Sequence, residues 1–280
     1  MRLSIVHETH YRFGEPAEHS IQYLRLTPRP DPTQHVRSWT LSTPGKLSGW
    51  IDGFGNLSHV SVQDGRHDEL PVVVRGEVET RDTSGVVPPD DGLPPPMFLR
   101  QTRYTRAEGG IVELAEPFRD RLADEGVLAV LHGLMLTLHE RIEYRPGCTD
   151  VESTAAEALE HGYGVCQDHA HVFLACCRAL GVPARYVSGY LFAGSDSDAA
   201  VASHAWAEAY VDDLGWASFD CANGICATDS YVRLAVGLDY DGASPVPRRP
   251  PRRWRRGDER PGAGGQRPVT AREDYGNEGL

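Results

Sequence analysis

Leu3, Ile5, His7, Thr9, Tyr11 and Phe13 alternate with mostly polar neighbours, a period of two that predicts a half-buried strand. Further strand patterns cover 21–27, 36–41, 57–62 and 70–78. Pro28-Arg29-Pro30, Pro44-Gly45 and Asp52-Gly53-Phe54-Gly55-Asn56 supply the turns between them. Residues 1–81 therefore read as a β-rich N-terminal domain. From Glu116 the period changes to 3.6: Leu122, Val127, Leu128, Leu131, Leu134, Met135, Leu138 and Ile142 trace a wide apolar stripe, ending near Tyr144-Arg145-Pro146-Gly147. A shorter helix is predicted over 154–161. Gly162-Tyr163-Gly164-Val165 breaks it, and a third helix begins at Cys166. In that third helix Ala170, Phe173, Leu174, Cys177 and Leu180 share a face. Strand patterns follow at 184–192, 204–211 and 216–220, with a polar, mobile loop at 194–198. The order predicts an α+β fold.

Two stretches break the pattern. Residues 82–99, rich in Pro, Gly and Asp and containing Pro94-Pro95-Pro96, read as a stiff linker. Residues 100–246 then form a second domain. From 247 to 280 there are nine Arg, no Lys, five acidic residues, five Pro and six Gly, which predicts a disordered tail.

The formal net charge of -12 argues against nucleic acid or an anionic membrane as partner. Lys46 is the only lysine, so the chain is a poor lysine donor for its own cross-linking. No signal-type or membrane-spanning apolar run is present, and a cytoplasmic location is expected. There the six cysteines, 148, 166, 176, 177, 221 and 226, would stay reduced. None of them forms a C-x-x-C pair, so no structural zinc site is expected.

Cys166 lies where a Gly-flanked turn runs into a helix, and the free N–H groups there favour an anion and a developing oxyanion. Cys177 falls on the apolar stripe and reads as core. In Ser203-His204-Ala205-Trp206-Ala207-Glu208-Ala209-Tyr210-Val211 the large side chains share one face and alanines the other. A histidine at the start of such a strand suits a base facing a thiol across a cleft. Asp220 ends the next strand, sixteen residues later, an even spacing that allows both on one face. Opposite placement would need a turn centred at Asp212, so a bulge or a reach from the strand end is required. His169 and His171 compete for the base role from the helix of Cys166, while Asp168 and Gln167 suit capping of its start. A metal site from Cys166, Asp168, His169 and His171 is disfavoured by their clustering on one helix. His7, Glu8 and His10 are disfavoured likewise, because His7 and His10 lie on opposite strand faces.

Gly-Val-Cys-Gln-Asp-His-Ala-His at 164–171, Gly-Val-Pro-Ala-Arg-Tyr-Val-Ser-Gly-Tyr at 181–190, His-Ala-Trp-Ala-Glu at 204–208 and Trp-Ala-Ser-Phe-Asp at 216–220 resemble bacterial transglutaminase-like proteins. His-x-Thr-x-Tyr at 7–11, Leu-Arg-Leu-Thr-Pro-Arg at 24–29 and Asp-Gly-Phe-Gly-Asn at 52–56 resemble the N-terminal region that accompanies that core in bacteria. The resemblance covers about residues 1–246. It implies a papain-like core with the Cys166 helix on an antiparallel sheet, and a catalytic triad Cys166, His204 and Asp220. It implies thioester formation with a peptide or protein amide, with no cofactor and no metal carried over. Hydrolysis of a peptide or isopeptide amide is the expected outcome. The alternatives are transfer to an amine and a binding module with a relict site. The sequence departs from the family at Cys221, where proline is usual, and after Val246, where the Arg/Pro/Gly tail replaces a further strand. That replacement suggests a frameshift and predicts an unpaired sheet edge.

Overall fold

The computed structural model describes residues 1–88, 92–194 and 201–247. Residues 195–198 of the predicted polar loop (194–198) and 248–280 of the predicted basic tail (247–280), with its expected disorder and frameshift origin, lie outside the described residues.

The N-terminal sheet is built on two long strands, β1 (Arg2–Thr27) and β4 (Leu57–Thr80), with β2 (Gln34–Ser42) and β3 (Lys46–Ile51) both on the other side of β4. Each long strand joins two segments that the pattern separates. The chain bulges between Arg12 and Ala17, so Gly14 and Pro16 bend the ladder rather than ending it. Strand β3 carried no alternating apolar signal, and its Trp50 and Ile51 stay exposed. Leu3, Ile5, His7 and Thr9 are buried, as the alternation requires.

The core sheet runs in the order β11-β8-β9-β10-β5. Its strands are β5 (Val86–Val87), β8 (Ala184–Phe192), β9 (Val201–Val211), β10 (Gly215–Phe219) and β11 (Tyr231–Gly237), all antiparallel to their neighbours. Residues read as linker therefore belong partly to this sheet. Val86 and Val87 pair with Ala217 and Trp216, and Pro95–Leu99 forms a 3-10 turn that buries Phe98 edge-on to Trp216 at 5.1 Å. Burial of these few apolar side chains outweighs a composition typical of solvated chain.

The long helical stripe is divided into α1 (Gly110–Arg119), α2 (Arg121–Glu125) and α3 (Val127–Arg141). The break before α3 falls at Gly126, whose φ of 83° few other residues adopt. The predicted 154–161 helix is α4 (Ala155–His161), started by a capping box between Thr154 and Glu157. A parallel pair, β6 (Glu143–Tyr144) and β7 (Tyr163–Gly164), leads to α5 (Cys166–Ala179). The one-sided face expected for α5 is overturned, since every residue from Gln167 to Arg178 is buried. Helices cover one side of α5, and Ala205, Ala207 and Ala209 of β9 pack on the other. Small side chains on β9 allow that close approach. A last short helix, α6 (Tyr240–Ala243), follows β11.

The predicted unpaired edge is filled from within the chain. β11 ends the core sheet, and its outer side meets two side-chain amides from the N-terminal half. Gln34 receives the Arg233 N–H and donates to the Arg233 carbonyl, both at 2.8 Å. Asn56 does the same to Val236, again at 2.8 Å each way. A bulge between Arg233 and Ala235 turns both residues toward the same side. Each carboxamide thus acts as a one-residue strand, which satisfies the edge and blocks further pairing.

Two buried imidazoles give the fold an acid limit. His7 bonds Tyr190 Oη and Thr9 Oγ1 at 2.7 Å, and burial holds its pKa down at about 4. His171 is fully buried, stacks on Tyr104 and accepts the Tyr240 N–H; burial first, and Arg178 next, hold it at about 3. Both protonate near 6.5 once unfolded, so stability is full above that pH and is lost as pH falls toward 4. Each contributes up to about 1.4 kcal/mol per pH unit in that window. The urea midpoint should fall steadily between pH 6.5 and 4.5; a flat midpoint would contradict this.

Candidate active site

Val165 is extended and turns the chain from β7 into α5, which leaves the Cys166 and Gln167 N–H groups without intrahelical acceptors. Asp168 reaches back under this turn. Its Oδ2 accepts from Val165 N at 2.8 Å and from Thr149 Oγ1 at 2.7 Å. Gly164 makes room, since a Cβ there would lie 2.6 Å from Asp168 Cβ. Asp168 is thus a cap, and Cys166 is held half-buried at the head of the helix.

The other thiols differ. Cys176, Cys177 and Cys221 are buried, and burial pushes each one up, Cys176 to about 12. Burial also raises Cys226, whose Sγ faces His132 Nε2 at 3.4 Å. Cys148 is exposed.

Strand β9 begins at Val201, three residues before the expected start, and sets His204 opposite Gly189 of β8. Its Nε2 lies 2.6 Å from Asp220 Oδ2, and Cys166 at the head of α5 is close enough to act on the imidazole. Burial alone would lower the His204 pKa. The hydrogen bonds to Asp220 and Cys166, with their charges, outweigh it and hold the pKa up at about 10.

Asp220 arrives by a reach from the strand end. The ladder runs Gly215 opposite Val211 to Phe219 opposite Ala207, so Asp220 continues it two residues short of His204. The carboxylate lies past the last paired residue, in a turn closed by mutual N–H to carbonyl bonds with Ile225. Its Oδ1 accepts from Ala222 N and Asn223 N, and its Oδ2 from Asn223 Nδ2 and Tyr231 Oη, both at 2.7 Å, as well as from His204. Burial would raise its pKa, but these donors, His204 first, hold it below the usual carboxylate value.

The structure therefore brings Cys166, His204 and Asp220 close together, with His204 hydrogen-bonded to Asp220. The competing histidines point elsewhere. His169 spends Nδ1 on the Val165 carbonyl and Nε2 on that of Ile142. His171 is in the core, and His7 and His10 bond separate partners, His10 taking Glu8 and Glu69 at the surface. Among the described residues no cluster of three metal-ligating side chains is found.

Three neighbours escaped the sequence reading. Asn223 had a signal, an Asn three residues past an Asp in a turn. Tyr231 had none, because its strand was not recognised. Tyr144 is half-exposed beside the site; burial pushes its phenol up, and Cys166 and Asp220 add to this.

Comparison with known proteins places both halves of the chain in a family. Residues 115–221 match the profile of the transglutaminase-like superfamily, and residues 3–79 that of the bacterial transglutaminase-like N-terminal region. The chain is 31% identical over 266 residues to the Mycobacterium leprae protein ML0607, covering 88% of this chain and 91% of that one. It is 27% identical over 276 residues to Rv2569c of Mycobacterium tuberculosis, covering 88% and 86%. A crystal structure of a candidate cysteine protease from Cytophaga hutchinsonii superposes with a TM-score of 0.69 at 23% identity, over 88% of this chain and 84% of that one, a likeness of fold. No helix among the described residues is long and apolar enough to cross a membrane. With the two profiles in chain order and a relative matched over nearly its whole length, the chain belongs to the transglutaminase-like superfamily.

Proposed function

We propose that the protein is a cysteine-dependent amide acyl transferase that hydrolyses a peptide or isopeptide amide. The observation that carries this reading is the Cys166–His204–Asp220 series at the head of α5. Cys166 Sγ, its proton held on His204, attacks the amide carbonyl carbon. The Cys166 N–H at the helix start is a donor to the oxyanion that forms. As the C–N bond breaks, His204 gives its proton to the leaving amine, and a thioester remains on Sγ. Water then attacks the thioester, His204 takes its proton, and the acid leaves as Sγ departs. Asp220 fixes the imidazole and stabilises its cation.

An amine acceptor would complete the cycle by transamidation with the same groups. Hydrolysis is favoured because water competes at about 55 M wherever the thioester is open to solvent. The cytoplasm is the proposed setting, since it would keep the six thiols reduced.

The test is Cys166 alkylation by iodoacetamide as a function of pH, with Cys166→Ala and His204→Ala controls. An imidazolium partner kept up to about pH 10 should let Cys166 react well below pH 7. His204→Ala should abolish that low-pH reactivity. Reaction no faster than that of a free thiol, unchanged in His204→Ala, would overturn the reading.

A further inference from the structure

Tyr231 stands outside the triad yet touches two of its members. Its hydroxyl donates to Asp220 Oδ2 at 2.7 Å, the same oxygen that accepts from His204 Nε2 and Asn223 Nδ2. Its ring lies 6.0 Å from the His204 ring and packs edge-on to Trp206 at 5.3 Å. Burial, and then the charge of Asp220, push the phenol far up, so it stays protonated and can only donate to the carboxylate.

Tyr231 is also the first residue of β11, the strand whose outer edge the N-terminal half grips. Gln34 holds Arg233 and Asn56 holds Val236. Just before Tyr231, the Asp229 carbonyl accepts from Thr80 Oγ1, and the Asp229 carboxylate pairs with the Met1 amino group at 3.3 Å. The groups that act on Asp220 are His204 from β9, Tyr231 from β11, Tyr144 from β6, and Cys221 and Asn223 from its own turn, while Cys166 of α5 acts on His204. Of the side chains that hydrogen-bond this carboxylate, Tyr231 is the one carried on a strand fixed by the N-terminal sheet.

We propose that Tyr231 is a positioning residue of the triad. Its hydroxyl keeps Asp220 ionised and aimed at His204, and the N-terminal sheet holds it there by gripping β11. The N-terminal half is then part of the catalytic apparatus rather than an appended module. This rests on the acyl-transfer reading of the site.

Tyr231→Phe in the full chain keeps the ring and removes one donor. The His204 ring resonances, followed by NMR from acid to neutral pH, report Asp220 as a low-pH inflection. Loss of one of its donors makes the carboxylate harder to ionise, so the inflection should move up by about one pH unit. The acid limb of Cys166 alkylation should move with it. A purely structural role would lower the unfolding midpoint and leave the inflection where it was. Gln34→Met, or Asn56→Leu should the first not fold, should move the inflection the same way by a smaller amount.

An unchanged inflection in folded Tyr231→Phe would overturn the role of Tyr231. An unchanged one in the edge variant would overturn the grip. An inert Cys166 in the wild type would sink the acyl-transfer reading, while the His204 inflection would still report on the link from Tyr231 to Asp220.

Discussion

Cys166→Ala and His204→Ala are each expected to lower amide turnover by roughly 10⁶-fold, and the double variant by no more than either alone. The reason is the shared proton. Without His204 the thiol has no partner to hold its proton and the leaving amine has no donor; without Cys166 the imidazole has nothing to activate. Asp220→Asn keeps the shape but removes the charge that supports the imidazolium, and roughly 10⁴-fold is expected. Turnover is read as amine release from peptide and isopeptide amides by mass spectrometry. Independent, additive effects of the Cys166 and His204 variants would show that the two do not work as a unit. The pH dependence has a definite sign. Amide cleavage needs His204 protonated, so turnover should fall as pH rises through about 10. Alkylation of Cys166 needs no proton donor and should persist there.

Glu208→Gln is expected to destabilise the fold by about 3–5 kcal/mol, the cost of stranding buried charges. Glu208 lies fully buried on β9, on the same face as His204 and Trp206. It pairs with Arg185 Nε at 2.7 Å and Arg233 Nε at 2.8 Å, and Arg233 continues to Asp31 at 2.6 Å. Burial would raise the Glu208 pKa, but the two guanidinium groups hold it below its ordinary value. Removing the carboxylate charge leaves two buried cations facing each other with one acidic partner between them. Replacing Glu208, Arg185 and Arg233 by apolar residues of similar volume, together with Asp31→Asn, should cost less than Glu208→Gln alone, because no charge is then left unpaired. Urea unfolding measures both. A loss below about 1 kcal/mol for Glu208→Gln would mean that water reaches the network and screens it.

Much of this protein was legible in the chain because the relevant signals are local. The period of two at Leu3–Thr9 places buried side chains as found, and the alanine face of β9 marks where α5 packs. Cys166 is identified by the turn that breaks one helix and starts another. His204 is identified by its place on the large-residue face of a one-sided strand. These features depend on a few adjacent residues, so sequence displays them directly.

What the sequence could not display depends on partners far along the chain. Val86, Val87 and Phe98 sit in a Pro/Gly-rich stretch, and only the exposed edge of β10 and the face of Trp216 make them structural. The β9–β10 register shows Asp220 to be off the paired ladder, so its contact with His204 comes from a turn beyond the strand. Tyr231 looks unremarkable until β11 carries it to that turn, and Gln34 and Asn56 look like surface amides until they meet the edge of β11 some 180 to 199 residues away.

The sequence by itself thus determined most of the element types, the family and the three side chains proposed to do the chemistry, because periodicity and short motifs are properties of neighbouring residues. Only the tertiary structure decided how Asp220 reaches His204, what orients it, and why the N-terminal half belongs to the same machine. Those depend on register and on which buried polar groups find partners, and both are settled only when distant strands pack together.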